Sequence, residues 1–369
     1  MSQVTEVSRP TAQTLPETMR ALVLSAPGAF SIETVAMPPA PGPGEVLCRI
    51  RAVAICGSDP EIIHGGLAGT WPPSYPFVPG HEWAGEVVAV GAGVHDFNPG
   101  DRVAGEAHSG CGHCPNCLEG RYTICYNYGR QDEGHRHYGF ITQGAYAQYA
   151  VYNIKSVSHL PDAVSFHEAS MVDTAGVVLH GLELSGITHG GSVVVIGPGP
   201  IGLIAIRMAK LLGAAQVIAV GRGARLQAAA DVGADVLVDF EKEDPVAAVR
   251  TATGGRGVDE AIEASGAAGT LRQCVEMVRK GGSVSLLGVP PDHVQEPLPF
   301  KYIVHNEIAI YGSRANPNVS RKVIAQMASR QLKVDDLVTH TFPLENFATA
   351  LDTFVNRRDG AIKVVVEPN

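Results

Sequence analysis

The sequence predicts an α/β protein in two parts: a β-rich opening domain and a doubly wound parallel sheet with helices on both faces. Three observations predict it. At 369 residues the chain exceeds what one small core organises. Val193-Val194-Val195-Ile196 is a β-branched run without polar alternation, which suits a strand buried on both faces, and residues 203–212 continue as a helix charged only at Arg207 and Lys210. Upstream, short β runs are broken by Pro and Gly: Ala21-Leu22-Val23-Leu24, Phe30-Ser31-Ile32, Glu45-Val46-Leu47-Cys48-Arg49-Ile50, and Glu86-Val87-Val88-Ala89-Val90.

Between the β-branched run and the helix, Gly197, Gly199 and Gly202 form G-x-G-x-x-G, with Pro200 and Ile201 opening the helix. Such a turn lets backbone approach a pyrophosphate while the free N–H groups and positive end of the helix face that anion. Glycine fills 42 of the 369 positions, so the motif alone is weak and a plain loop is its rival. The context strengthens it, because Val217-Ile218-Ala219-Val220 supplies a second strand where a βαβ unit of about 30 residues closes. The prediction is a dinucleotide site.

Cofactor choice is read at the end of that second strand. An NAD site commonly places an acid there for the ribose 2′-hydroxyl, but this chain reads Val220-Gly221-Arg222-Gly223-Ala224-Arg225. Gly221 leaves room, and Arg222, with Arg225, suits a 2′-phosphate. NADP is therefore the expected cofactor and NAD the alternative. Beyond it, strands are expected at residues 236–239, 258–263, 283–288 and 308–312, the last closing the sheet. Gly266 and Val289 fall at strand ends, as cofactor contacts or as plain core turns. Helices are expected at residues 319–330 and 347–355, and a final strand at 361–366.

Composition bounds the function. Hydrophobic residues make up 45% and charged residues 18%, as in a soluble globule, and the net charge of −9 repels nucleic-acid phosphates. Residues 1–18 have neither the basic start nor the apolar core of a secretory signal and read as a loose tail; no later run reaches membrane-spanning length. A cytoplasmic location without a membrane or nucleic-acid partner is expected. There, seven cysteines suit ligands better than disulfides.

The most specific spacing is C-x2-C-x2-C-x7-C at Cys111, Cys114, Cys117 and Cys125. Four thiolates so close can surround one tetrahedral zinc and leave no position for substrate, so the reading is a structural zinc. An iron–sulfur cluster fits less well, and disulfides least. Cys56, followed by Ser58 and Asp59, and His81, followed by Glu82, form a plausible zinc pair with acids to orient the imidazole. Taken singly, Cys56 reads better as an ordinary buried thiol and His81 as a core histidine satisfied by Glu82. Asp173 lies in an apolar, helical stretch at residues 166–185 and needs a partner, either a metal or a local hydrogen bond such as one to Thr174. Residues 126–152, with His135, Arg136, His137, Tyr138 and Tyr146, either line a substrate cleft or form a solvated loop before a strand at 145–151. Trp71, Tyr75 and His64 are further pocket candidates.

Together, Cys-Gly-Ser-Asp at 56–59, Gly-His-Glu at 80–82, the four-cysteine lobe and Gly-Pro-Gly-Pro-Ile-Gly at 197–202 resemble the zinc-dependent medium-chain dehydrogenase/reductase family, the alcohol and polyol dehydrogenases. The resemblance implies a GroES-like catalytic domain at residues 19–174, with the structural zinc lobe at about 105–126, a Rossmann domain at 175–310, and a return to the catalytic domain at 311–369. It implies two zinc ions per subunit. The catalytic one maps onto Cys56, His81 and, as third ligand, Asp173, with Glu82 as a nearby acid able to approach the metal. Ser58 matches the hydroxyl that passes the alcohol proton onward. Many relatives continue that relay with a histidine where this chain has Glu61, so Glu61, His64 or water takes the role. The implied reaction moves a hydride between a secondary alcohol or polyol and the nicotinamide, giving a ketone or aldehyde, with the metal acting as Lewis acid. The acid at the third-ligand position favours polyols and secondary alcohols, and a homo-oligomer, dimer or tetramer, is implied. The rival readings are a non-catalytic nucleotide sensor and a zinc-free enone reductase.

Overall fold

Val193 and Val195 face one side of a parallel sheet and Val194 and Ile196 the other, and all four are buried. This is why the run shows no alternation: helices cover both faces. A computed structural model of the chain describes residues 15–67, 69–291 and 293–369, so most of the expected tail lies outside the described residues. Its end falls earlier than expected, since Thr18 already belongs to the strand Thr18–Ala26.

The six parallel strands lie in the order Val236–Asp239, Gln216–Gly221, Ser192–Ile196, Val258–Glu263, Val278–Leu286 and Ala309–Gly312. The order reverses between Ser192–Ile196 and Val258–Glu263, which pair Ile196 with Glu263. A crevice opens beyond the carboxyl ends at such a reversal, and the glycine turn sits there. The helix Pro200–Leu211 follows, with Gly199 as its N-cap and Pro200 in its first turn. A Cβ on Gly202 would come within 2.1 Å of the Gly197 carbonyl oxygen, so only glycine permits this close packing of helix on strand.

The second sheet is mixed, in the order Val338–Pro343, Lys363–Glu367, Glu45–Ala54, Glu82–Val90, Arg102–Gly105 and Val157–His159, with Tyr149–Asn153 also pairing with Glu45–Ala54. Both ends of the chain thus build one sheet. Glu45–Ala54 runs antiparallel to Glu82–Val90 and to Lys363–Glu367, so its last residues lie beside the first residues of both neighbours: Ala54 pairs with Glu82 and with Val365. Three segments distant in sequence meet at this edge.

Several elements differ from expectation. The strand expected at 145–151 runs from Tyr149 to Asn153. The helical stretch 166–185 divides into Phe166–Ala169, opened by a capping box between Ser165 and Glu168, and Val172–Ser185. The final strand starts at Lys363 rather than 361.

Candidate functional site

At the edge where the three segments meet, one ligand atom each from Cys56, His81 and Glu82 lies within 4.8 Å of the others. Cys56 follows the strand Glu45–Ala54, whose continuation is held by an Ile55 N–H bond to Val364. Gly80 brings His81 to the same place. Its φ is +96° and a Cβ there would meet the Tyr146 ring at 2.8 Å, so a side chain would push the imidazole away. Glu82 opens the neighbouring strand.

The surroundings are buried and acidic. Asp59 is fully buried, accepts hydrogen bonds from Cys56 N (2.9 Å) and Tyr146 Oη (2.7 Å), and lies 3.7 Å from His81 Nδ1. Burial raises the Asp59 pKa, and the imidazole and both donors oppose that rise. Burial disfavours an imidazolium at His81, but Cys56 foremost, then Asp59 and Glu82, push its pKa up to about 10. His81 Nδ1, Asp59 Oδ1 and Ser58 Oγ are buried without a hydrogen-bond partner among the described residues. Lys363, 2% exposed, pairs with Glu82. Burial works against its charge and Glu82 foremost restores it. A sulfur, an imidazole and a carboxylate converging with unsatisfied atoms form a donor set that fits zinc.

Asp173 stands outside that group. Its carboxylate is 6% exposed, and its Oδ1 accepts from Ala107 N and Asn316 Nδ2, each at 3.1 Å. The structure therefore brings Glu82, not Asp173, together with Cys56 and His81. The reason is geometric: Glu82 is in register with the end of the strand leading to Cys56, whereas Asp173 lies in the first turn of the helix Val172–Ser185, where two donors hold it. Ser58 is the N-cap of the helix Asp59–His64, on which Glu61 and His64 are both exposed.

The four cysteines form a separate centre. Their sulfurs all lie within 4.8 Å, with Cys111–Cys117 at 3.9 Å and Cys114–Cys125 at 3.8 Å. These separations match the edge of a tetrahedron whose centre lies ~2.3 Å from each sulfur, the usual zinc–thiolate distance. Burial opposes ionisation of Cys111, and donors from His113, Cys114 and Asn127 overcome it, bringing its pKa to about 6. The lobe is tied to the returning chain. Tyr122 Oη donates to Glu106 (2.6 Å) and accepts from Asn318 N (2.9 Å), while Ser320 Oγ donates to the other Glu106 oxygen (2.7 Å).

The nucleotide crevice is a cavity of about 520 Å³ lined by Gly197, Gly199, Gly221, Arg222, Arg225 and Arg357, among others. Arg222 pairs with Glu241 at 2.5 Å and lies over the Phe240 ring. Arg225 runs beside Gly199, and burial followed by the neighbouring Arg357 charge lowers its pKa to about 10. Gly266 packs on the Val289 backbone, and the Val289 side chain is exposed.

Family signatures match both halves. The alcohol dehydrogenase GroES-like domain matches residues 42–162, and the zinc-binding dehydrogenase signature matches 200–329. The sorbitol dehydrogenase of Bacillus subtilis (strain 168) is 34% identical over 361 residues, 96% of this chain and 99% of that one. The chain belongs to the zinc-dependent medium-chain alcohol and polyol dehydrogenases. The L-threonine 3-dehydrogenase of Symbiobacterium thermophilum is also 34% identical, covering 95% of this chain and 98% of its own. Among solved structures, a protein described as a zinc-binding dehydrogenase from Sinorhizobium meliloti, bound to NADP, superposes with a TM-score of 0.87 at 32% identity, covering 96% of this chain and all of that one. Alcohol dehydrogenase TADH from Thermus sp. ATN1 gives 0.87 at 34%, covering 95% and 99%.

This dehydrogenase is an oxidoreductase with GroES-like and Rossmann-type halves, which sets it apart from a nucleotide sensor. Among the described residues, no helix is long and apolar enough to cross a membrane. Sequence reasoning missed Lys363, Asn316, Arg357 and Glu241, and it named Tyr146 as a cleft candidate rather than as the hydrogen-bond partner of Asp59. Lys363 had a signal, a lone charge in the apolar strand Ala361-Ile362-Lys363-Val364-Val365-Val366, since a buried charge needs a partner. Glu241 supplies an acid beside Arg222 that was not visible at the end of the preceding strand.

Proposed function

We propose that this dehydrogenase oxidises a secondary alcohol or polyol to a ketone or aldehyde, and catalyses the reverse, at a zinc held by Cys56, His81 and Glu82, with NADP preferred over NAD. The observation that carries the reading is the convergence of those three donors, with Ser58 Oγ buried and, among the described residues, unpartnered two positions from Cys56. Zinc there would act as a Lewis acid that makes the hydroxyl of the substrate more acidic. Ser58 receives the hydroxyl proton, and Glu61 or His64, exposed on the same helix, hands it to solvent. Asp59 fixes the Cys56 backbone and faces His81, which orients the imidazole. Lys363 sets the position of Glu82, and Asp173, held by Ala107 and Asn316, lies outside the donor group.

A nicotinamide nucleotide would be held by the turn at Gly197, Gly199, Pro200, Ile201 and Gly202, by Gly221, Arg222 and Arg225 on the same crevice, and by Gly266 and Val289 at the neighbouring strand ends, and it would supply the hydride acceptor. Three arginines on one cavity and the NADP carried by a structural relative support the NADP preference. Cys111, Cys114, Cys117 and Cys125 hold a second, structural zinc, giving two per subunit. The catalytic domain comprises residues 19–174 and 311–369 around a Rossmann domain at 175–310, in a cytoplasmic homo-oligomer.

Elemental analysis of the purified protein together with a panel of sugar alcohols, simple alcohols and amino-alcohols, each with NADP and NAD, tests this. Two zinc ions per chain and alcohol-dependent reduction of NADP are expected. One zinc and no alcohol-dependent reduction would remove the catalytic zinc and the alcohol substrate, and a strong NAD preference would remove the cofactor assignment.

A further inference from the structure

Beyond the metal donors, a stack of rings leads away from His81. The Phe140 ring lies 4.6 Å from His81, His137 lies 3.9 Å from Phe140 at an interplanar angle of 9°, and His108 lies 4.0 Å from His137 at 26°. Trp71 packs edge-on to Phe140 and His137, and Tyr128 Oη bonds His137 Nδ1 at 2.5 Å. The far end of this wall is polar and unsatisfied. His108 is 4% exposed, yet among the described residues neither of its ring nitrogens has a partner, and His135 Nε2 and Trp71 Nε1 are likewise buried and unpaired there. Leaving four such atoms unmatched is costly unless a ligand or an ordered water meets them.

A cation faces the same place. The Arg314 guanidinium lies 4.7 Å over the Tyr128 ring, and among the described residues no carboxylate lies within 4.0 Å of it. Its charge reaches the imidazoles: burial foremost, and then Arg314, hold His108 well below the usual histidine range, and the same two influences act on His137 together with its histidine neighbours. A neutral imidazole keeps one N–H donor, so the wall offers a guanidinium fork, an indole N–H and imidazole donors, with no acid among them.

Building on the proposed alcohol dehydrogenase activity, we propose that His108 and Arg314 form an oxyanion subsite at the end of the ring stack that leads away from His81. The favoured substrates then carry a carboxylate or phosphate on a carbon away from the hydroxyl that reacts. Arg314 supplies paired charge-assisted hydrogen bonds, His108 one more, and the ring stack sets the distance between the anion and the metal donors.

The test has two arms. Kinetics on a neutral polyol, its phosphate monoester and the matching hydroxycarboxylate should show a kcat/KM advantage of about 10- to 100-fold for one charged form, the range of charge-assisted hydrogen bonds to a fixed cation. In Arg314→Gln this ratio should fall toward one, with the change in KM rather than kcat, and Arg314→Lys should restore part of it. Independently of turnover, inorganic phosphate or acetate should change the fluorescence of Trp71 in the wild-type protein and not in Arg314→Gln, and the more effective anion identifies the group. A neutral polyol used as well as its charged analogues, or a Trp71 signal that neither anion changes, overturns the subsite. If no alcohol reduces either nucleotide, the proposed function falls, and the anion titration still decides the subsite.

Discussion

The two candidate metal centres are built in opposite ways. The four-cysteine lobe draws its donors from residues 111–125, close enough that two short turns, Pro115–Leu118 and Tyr122–Ile124, suffice to gather them. The other centre takes Cys56, His81 and Glu82 from a strand end, a glycine turn and a neighbouring strand, and balances Glu82 with Lys363 from the last strand. The lobe organises its own metal site; the second site exists only once the mixed sheet has closed. A fold-dependent site should fail wherever that edge is disturbed, whereas the lobe should fail only through its own cysteines.

The largest effect should come from His81→Ala. Loss of one donor from the assembled centre is expected to cut kcat by about 10³-fold or more, given the several kcal/mol a metal contributes to such a reaction. Elemental analysis should show one zinc per chain remaining. A variant that retained full turnover would break the comparison at its root.

Cys114→Ser should strike the lobe alone. We expect loss of the lobe metal and a lower Tm by calorimetry, because a structural site contributes its binding energy to folding. The metal at Cys56, His81 and Glu82 should remain, and simultaneous loss of both would show that the lobe and the sheet edge are one unit.

Glu82→Gln against Asp173→Asn sharpens the assignment within the assembled centre. Glu82 lies in the donor group and Asp173 does not, so zinc retention in a chelator competition should fall at least tenfold further for Glu82→Gln than for Asp173→Asn. The opposite ranking would restore Asp173 as the third ligand.

The smallest effect concerns another contact made by tertiary structure. Glu241 occupies Arg222, so Glu241→Gln should free that guanidinium and raise the NADP-to-NAD ratio of kcat/KM by about threefold, in keeping with an exposed ion pair worth less than about 1 kcal/mol. A ratio shifted toward NAD would mean that Glu241 orients Arg222 for the phosphate.

Features encoded over a few residues were legible. The buried run 193–196, the glycine turn and the helix after it, and the four-cysteine spacing each carry their geometry in local periodicity and turn chemistry, and each lies where expected in the fold. Cys56, His81 and Glu82 were legible as residues but not as a set. Their neighbour Lys363 was read only as part of a strand.

What the sequence alone determined is therefore the class of the fold, the dinucleotide turn and the cysteine lobe, because short-range spacing fixes which atoms can meet. Tertiary structure decided that Glu82 rather than Asp173 joins Cys56 and His81, that Lys363 balances Glu82, and that Glu241 meets Arg222. Those choices depend on strand register and on which donors already hold a carboxylate. Both are properties of the closed sheet, and nothing in the spacing of residues along the chain specifies them.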